Sequence, residues 1–153
     1  MSGKQWTANY LEASSRDFLA EVYKQTPVHH RLIDDWFKKV ITYDLSIDES
    51  STYRELEDGT FEVRVKINAA RFETLATGET NPIELAEPIK VGIFTEHPSL
   101  VKDDHCVLYY ESTYIDKEKS EWVVIVKQKP VFIAIDPYGT RSDENLADNV
   151  LVL

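Results

Sequence analysis

The stretch Phe61-Glu62-Val63-Arg64-Val65-Lys66-Ile67 decides the fold class of this 153-residue chain. Apolar and charged residues alternate there with a period of two, which is typical of a β-strand that buries one face and exposes the other. The earlier stretch 41–48 alternates in the same way, with Ile41, Tyr43, Leu45 and Ile47 as its apolar positions. The sequence therefore predicts two half-buried strands.

Asp58-Gly59 lies between these strands and predicts the turn of a hairpin. Asp-Gly suits a two-residue type I′ turn, because both central positions of that turn need a positive φ. Counting outward from such a turn pairs Leu56 with Phe61, which is favourable, and Glu55 with Glu62, which is unfavourable.

Five more strand candidates follow at short intervals, separated by turn residues: 70–75, 88–95, 107–115, 121–127 and 131–136. The runs 123–126 and 131–135 are apolar on both faces, which predicts central strands, and the final 150–153 predicts an edge strand. About seven short strands without interleaved helices predict an antiparallel β-sandwich of immunoglobulin-like or fibronectin type III-like architecture.

The first forty residues have helical spacing instead. Apolar residues recur at helix intervals over 14–23 and again over 28–40, and Thr26-Pro27 separates the two stretches. The second stretch carries Trp36 and Phe37 on its apolar stripe. We therefore predict a short helical hairpin at 1–40, followed by a β-sandwich domain at 41–153.

The charge balance excludes several classes of partner. Seventeen Lys and Arg residues against 27 Asp and Glu residues give a net charge of −10. Such a surface repels nucleic acid and anionic membranes. No apolar run approaches the roughly 20 residues that span a bilayer. We therefore expect a soluble chain with no nucleic-acid partner and no membrane insertion of its own.

Residues with metal or nucleophile chemistry are poorly placed. The H-E-x-x-H motif is absent, and His29 and His30 are neighbours whose side chains diverge on a helix. A site built from His97, His105 and Cys106 would lack an evident fourth ligand for zinc. Cys106 and His105 point to opposite faces of an extended segment, which favours a small core cysteine. We expect no catalytic residue, no metal ligand and no cofactor.

Two other features leave alternatives open. The acidic stretch 136–149 is compatible with calcium, but its spacing is not that of an EF-hand, and Asp and Asn also stabilise tight turns. Tyr110 and Tyr114 share one face of a predicted strand, next in sequence to the loop 96–104. Core packing is the more common role of such aromatics. The alternative function is a free-standing module that binds sugar or peptide through this tyrosine face or through the loop 96–104.

The last third of the chain resembles the carboxyl-terminal end of a bacterial protein family. The matching segments are Lys129-Pro130, Ile133-Ala134-Ile135-Asp136-Pro137-Tyr138 and Asp143-x-Asn145-x-x-Asp148-Asn149-Val150. Looser agreement occurs at 32–43, 59–63, 71–72, 78–79 and 89–94. The family joins an ABC-type permease region to a gluzincin, aminopeptidase-N-like zinc peptidase. Thr140-Arg141 stands where the family has an apolar pair, and the zinc-binding module is not in this chain.

The resemblance implies a non-catalytic accessory domain at the end of a membrane-bound parent in a bacterial cell. Zinc would belong only to the parent's catalytic domain, and the helices of 1–40 would contact that domain. The other expected partner is a second copy of this chain, in a homodimer. The residues of the motif are assigned to holding the tail by side chain–backbone hydrogen bonds: Asp136, Pro137, Tyr138, Asp143, Asn145, Asp148 and Asn149.

Overall fold

The computed structural model describes residues 18–24, 30, 33 and 39–153. The chain divides into two units, Met1–Val40 and Ile41–Leu153. In the first unit the described residues contain one short helix, α1 (18–24), and His30 and Ile33 are also helical. The remainder of the predicted helices lies outside the described residues, so those residues contain no helical hairpin. Val40, predicted to end the second helix, instead begins a strand.

The second unit is mainly β. Within 39–153 nine strands form two antiparallel sheets, which pack together: β1 (Val40–Ile47), β2 (Thr52–Glu55), β3 (Phe61–Thr74), β4 (Thr80–Pro82), β5 (Glu87–Phe94), β6 (Val107–Ile115), β7 (Lys119–Val126), β8 (Phe132–Ile135) and β9 (Val150–Val152). Sheet A contains β1, β2, β3, β4 and β7, and sheet B has the order β6-β5-β8-β9. The expected number of about seven strands is therefore too low.

Strand β3 organises sheet A. It is 14 residues long and joins the segments 61–67 and 70–75, which were predicted as two separate strands. Strands β1, β2, β4 and β7 all pair with it. Strand β4 was missed because Thr80-Asn81-Pro82 has turn composition, and proline is tolerated only at a sheet edge.

The β2–β3 hairpin has a different register from the predicted one. Glu55 lies opposite Phe61, and Arg54 lies opposite Glu62. The turn contains three residues between Leu56 and Thr60, with Gly59 at φ +78°, so glycine occupies the left-handed position of a bulged turn. Arg54 donates to both Glu62 oxygens, at 2.8 and 2.9 Å. The register thus replaces an unfavourable Glu–Glu pair with an ion pair.

The core lies between the two sheets. Alternate residues of strands in both sheets are buried there, among them Leu45, Val63, Val65, Val91 and Ile135. Strand β8 lies between β5 and β9, as predicted for a central strand.

Strand β7 is not central. Among the named strands it pairs only with β3, and its side chains Val123 and Ile125 are 48% and 54% exposed. The apolar run 123–126 is therefore a β-branched edge strand, which periodicity alone does not distinguish from a central one. Among the described residues, no helix has the length and apolar character that crossing a membrane requires.

Candidate functional site

The outer face of sheet B carries a second, smaller apolar cluster. Phe94 is fully buried although it points away from the core between the sheets. Its ring lies over Gly92, where a Cβ atom would come within 2.4 Å of it. The loop after β5 packs on the same face, with Pro98 buried and the His97 ring 5.4 Å from the Phe132 ring. The loop and the sheet thus form a covered surface beside the end of β8.

Asp136 begins the carboxyl-terminal loop directly after β8. Its φ is +41°, a left-handed conformation that Asp tolerates better than most residues. Its carboxylate accepts hydrogen bonds from the Thr140 hydroxyl and the Arg141 backbone N–H, the latter at 2.8 Å. Its backbone N–H donates to Lys90 O, and its carbonyl accepts from the N–H of Gly139. Asp136 is therefore buried with its carboxylate engaged in shaping the turn.

Arg141 connects this turn to the beginning of β5. Its Nε donates to Glu87 Oε1 at 3.1 Å, and its Nη2 donates to the Pro88 carbonyl at 3.2 Å. Glu87 is only 1% exposed, so Arg141 pairs with a carboxylate that is shielded from water. The pair Thr140-Arg141, which departs from the resembled family, is thus the pair that bonds to Asp136 and Glu87.

Tyr43 of β1 lies beside the same charges. The guanidinium carbons of Arg71 and Arg141 lie 5.8 and 5.9 Å from the centre of its ring. Burial, followed by the neighbouring Glu87 carboxylate, raises the pKa of Tyr43 from 10.0 to about 12. The phenol therefore stays protonated at neutral pH. Around it, the positive charges of Arg71 and Arg141 balance the negative charge of Glu87.

The segment after Arg141 crosses to sheet A. The N–H of Tyr43 donates to the Ser142 carbonyl at 2.9 Å, and Tyr43 and Asp143 form a parallel β-bridge. The Asp143 carboxylate accepts from the Leu45 N–H at 3.2 Å and from the Asn145 N–H at 3.1 Å. Asp143 thereby holds the loop against β1.

The segment contacts β1 of sheet A once more and then returns to sheet B. Asp148 accepts at its carbonyl from the Ile47 N–H at 3.0 Å, and its Oδ2 accepts from Asn145 Nδ2 at 2.7 Å. The Asn149 carbonyl accepts from the Ile135 N–H at 2.9 Å. The tail is consequently hydrogen-bonded to both sheets before it enters β9.

Asn149 differs from the other polar residues of the tail. Its side chain is 2% exposed, and neither its Nδ2 nor its Oδ1 has a hydrogen-bond partner among the described residues. The same holds for Oδ1 of Asp148. Buried polar atoms are normally paired, so an unpaired amide calls for an explanation.

A cleft of about 420 Å³ opens between the loop after β5 and the carboxyl-terminal segment. It is lined by Ser99, Asp136, Pro137, Tyr138, Gly139, Leu146, Asn149 and Val150. Four residues of the predicted motif therefore meet at one cleft, whereas Asp143, Asn145 and Asp148 lie on the side of β1. Ser99 belongs to the loop 96–104 that the sequence suggested as a binding surface, whereas Leu146 was not singled out, since nothing local signals that 99 and 146 share a cleft.

The aromatic residues of β6 divide between the two faces. Tyr109 packs on the core, while Tyr110 lies 5.7 Å from Tyr138, edge to face, on the outer side. Lys90 Nζ lies 4.9 Å from the centre of the Tyr110 ring. Tyr114 is 64% exposed farther along the strand. The aromatic surface beside the cleft is thus made by Tyr110 with Tyr138.

His97 and Cys106 lie at two short 3-10 turns. His97 Nδ1 lies 2.8 Å from the Ser99 hydroxyl, in the cap of a short 3-10 turn, and Cys106 is a half-buried free thiol. Within the part of the chain that the structure describes, no three His, Cys, Asp or Glu side chains are grouped to hold a metal ion. His29 lies outside the described residues.

Comparisons with protein-family models, with curated proteins and with solved structures found no match. The resemblance to the carboxyl-terminal end of gluzincin–permease proteins therefore stays a prediction from the motif 136–149.

Proposed function

We propose that this chain is a non-catalytic accessory β-sandwich domain, of immunoglobulin-like or fibronectin type III-like architecture, from a membrane-associated zinc aminopeptidase-like protein. One observation carries the non-catalytic role: the carboxylates of Asp136 and Asp143 accept backbone N–H groups, and that of Glu87 accepts from Arg141. Groups engaged in this way stabilise a loop and are poorly placed for acid or base chemistry.

The proposed parent rests on the motif that ends the chain. Asp136, Asp143 and Asp148 hold the tail between the two sheets, which is a reason for a terminal domain to keep this residue pattern. A domain closed in this way can end a larger protein without contributing to its reaction. Zinc would then be held by the parent's catalytic domain, and the parent would lie in the bacterial membrane.

The proposed partner is that catalytic domain, reached through the amino-terminal region 1–40. The support is the apolar stripe of 28–40, with Trp36 and Phe37. These two residues lie outside the described part of the chain. Without the catalytic domain, the same stripe would favour a soluble homodimer.

The reading frame and its neighbours in the genome test the proposed parent. We expect a sequence encoding an H-E-x-x-H peptidase, fused upstream or adjacent. A native start codon at Met1 with no peptidase gene nearby would contradict the parent.

An assay of the purified chain tests the non-catalytic role. Aminoacyl-p-nitroanilides, with and without added zinc, should give no turnover above buffer. Turnover that disappears in Asp136→Asn or Asp143→Asn would show that a carboxylate here is catalytic and would overturn the proposal.

The alternative function, a free-standing module that binds sugar or peptide, is favoured by a different observation. The cleft beside Asp136 has an exposed aromatic ring, Tyr138, at its rim. The cleft includes Ser99 of the suggested loop 96–104 and its rim residue Tyr138 contacts Tyr110, whereas Tyr114 does not line it.

A further inference from the structure

We infer that the cleft lined by Ser99, Tyr138, Leu146 and Asn149 is a binding site for an uncharged carbohydrate. The inference goes beyond the accessory role, since a domain of either origin could carry such a site. It rests on the unpaired Asn149 amide, on the apolar walls of the cleft and on its charge.

Several buried side chains have polar atoms without a hydrogen-bond partner among the described residues, and Asn149 is the one of them that lines the cleft. Its backbone φ is not positive, because Asp136 is the only non-glycine residue with positive φ among the described residues, so the conformation does not demand Asn. Its side chain makes no hydrogen bond within those residues, although it is buried at the cleft. An amide carries both donors and acceptors, which is the complement of neighbouring sugar hydroxyls.

The walls of the cleft suit the other face of a sugar ring. Tyr138 and Leu146 are 53% and 55% exposed, and Pro137 and Val150 complete an apolar lining. The Tyr138 ring is supported from the side by Tyr110, so a flat apolar surface is held next to a polar group. Small-molecule sites commonly combine mostly apolar walls with a few placed polar groups, in volumes of about 300–1,000 Å³. The cleft, at about 420 Å³, is of that size.

Charge argues for a neutral ligand. Among the described residues that line the cleft, Asp136 alone is charged, and its carboxylate already accepts from Thr140 and from the Arg141 N–H. An anionic ligand would be repelled by the net charge of −10. An extended peptide would need a run of unpaired backbone groups, whereas the adjacent strand β9 has three residues.

Glycan and peptide arrays probed with the full chain test the inference. We expect the wild-type chain and Tyr114→Ala to bind the same neutral oligosaccharides, and Tyr138→Ala to bind them at least about tenfold more weakly. Tyr114 is the matched control, because it is an exposed tyrosine of sheet B that does not line the cleft. Binding of peptides only, binding of no glycan, or equal binding by Tyr138→Ala would overturn the proposal.

Asn149→Leu separates a binding role from a structural one. Leucine has a similar shape and removes an unpaired buried amide, so the melting temperature should stay the same or rise. Glycan binding measured by calorimetry, with the best array ligand, should fall below detection. A lower melting temperature with unchanged affinity would assign Asn149 to the fold and contradict the site.

Discussion

Arg141 and Glu87 form an ion pair between residues 54 positions apart, with Arg141 Nε 3.1 Å from Glu87 Oε1. The pair joins the carboxyl-terminal loop to the first residue of β5, and both side chains are largely shielded from water. The exposed Arg54–Glu62 pair of the β2–β3 hairpin has similar geometry in a different environment. Comparing the two pairs separates the effect of burial on stability from the effect of the distance between the charged atoms.

Arg141→Ala should lower the free energy of unfolding by about 3–5 kcal/mol, because it leaves the Glu87 carboxylate buried without its cation. Arg54→Ala, the matched control on the exposed pair, should cost much less, because water screens that pair. Urea denaturation of both variants measures the difference. Similar losses of unfolding free energy in the two variants would show that burial does not determine how much the Arg141–Glu87 pair contributes to stability.

Asp148→Ala should lower the free energy of unfolding by about 1 kcal/mol, because it removes the acceptor of the Asn145 amide in the tail. Thermal unfolding measures the effect, with Asp116→Ala in an exposed loop as the control. An unchanged melting temperature for Asp148→Ala would count against its assigned role in holding the tail.

Gly92→Ala should destabilise the fold by about 1–3 kcal/mol, because the new methyl group would come within 2.4 Å of the Phe94 ring. A smaller side chain at 94 should relieve the clash, so Gly92→Ala combined with Phe94→Leu should lose less than the sum of the single changes. Chemical denaturation of the three variants measures this coupling. Additive losses would mean that the ring does not obstruct position 92.

Stability should fall as pH rises from 10 to about 12, because the pKa of Tyr43 is raised from 10.0 to about 12 in the folded chain. In that window the unfolded phenol loses its proton while the folded one keeps it, so the unfolded state is favoured. Below pH 10 both states hold the proton, and the full contribution is present. Tyr43→Phe should flatten this dependence.

Absorbance at 295 nm during an alkaline titration provides the direct measurement for Tyr43. Of the eight tyrosines, the one lost in Tyr43→Phe should ionise near pH 12 in the folded protein. Ionisation of that residue near pH 10 while the fold is intact would contradict the raised pKa.

Local pattern was sufficient for most of the strands and insufficient for their pairing. The alternation in β1 and β3 predicted which residues are buried, because side chains alternate strictly across a strand. The β2–β3 register was wrong by one position on β2, because a turn with Gly59 in a bulge competes with the two-residue turn. The apolar run of β7 was predicted to be a central strand and is an edge strand, because the two kinds of strand differ only in which strands pair with them.

The candidate site, too, could be predicted from the sequence only in part. The motif 136–149 is visible in the sequence, and its Asp and Asn residues indicate tight turns because their side chains bond to nearby backbone. Which of them face the cleft and which face β1 depends on contacts with Ser99 in one loop and Leu45 in another strand. Such contacts join residues far apart in the chain.

By itself, then, the sequence determined that the chain is mainly β, where most strands lie, and that the last motif is a turn-rich loop. Period and turn chemistry are local properties, and a few neighbouring residues encode them. Only the tertiary structure decided that Arg141 pairs with Glu87 and that β7 lies at an edge. It also decided that Asn149 is buried beside Tyr138 with no side-chain hydrogen-bond partner among the described residues. These outcomes depend on which distant segments the packing of two sheets brings together, and no local pattern encodes that choice.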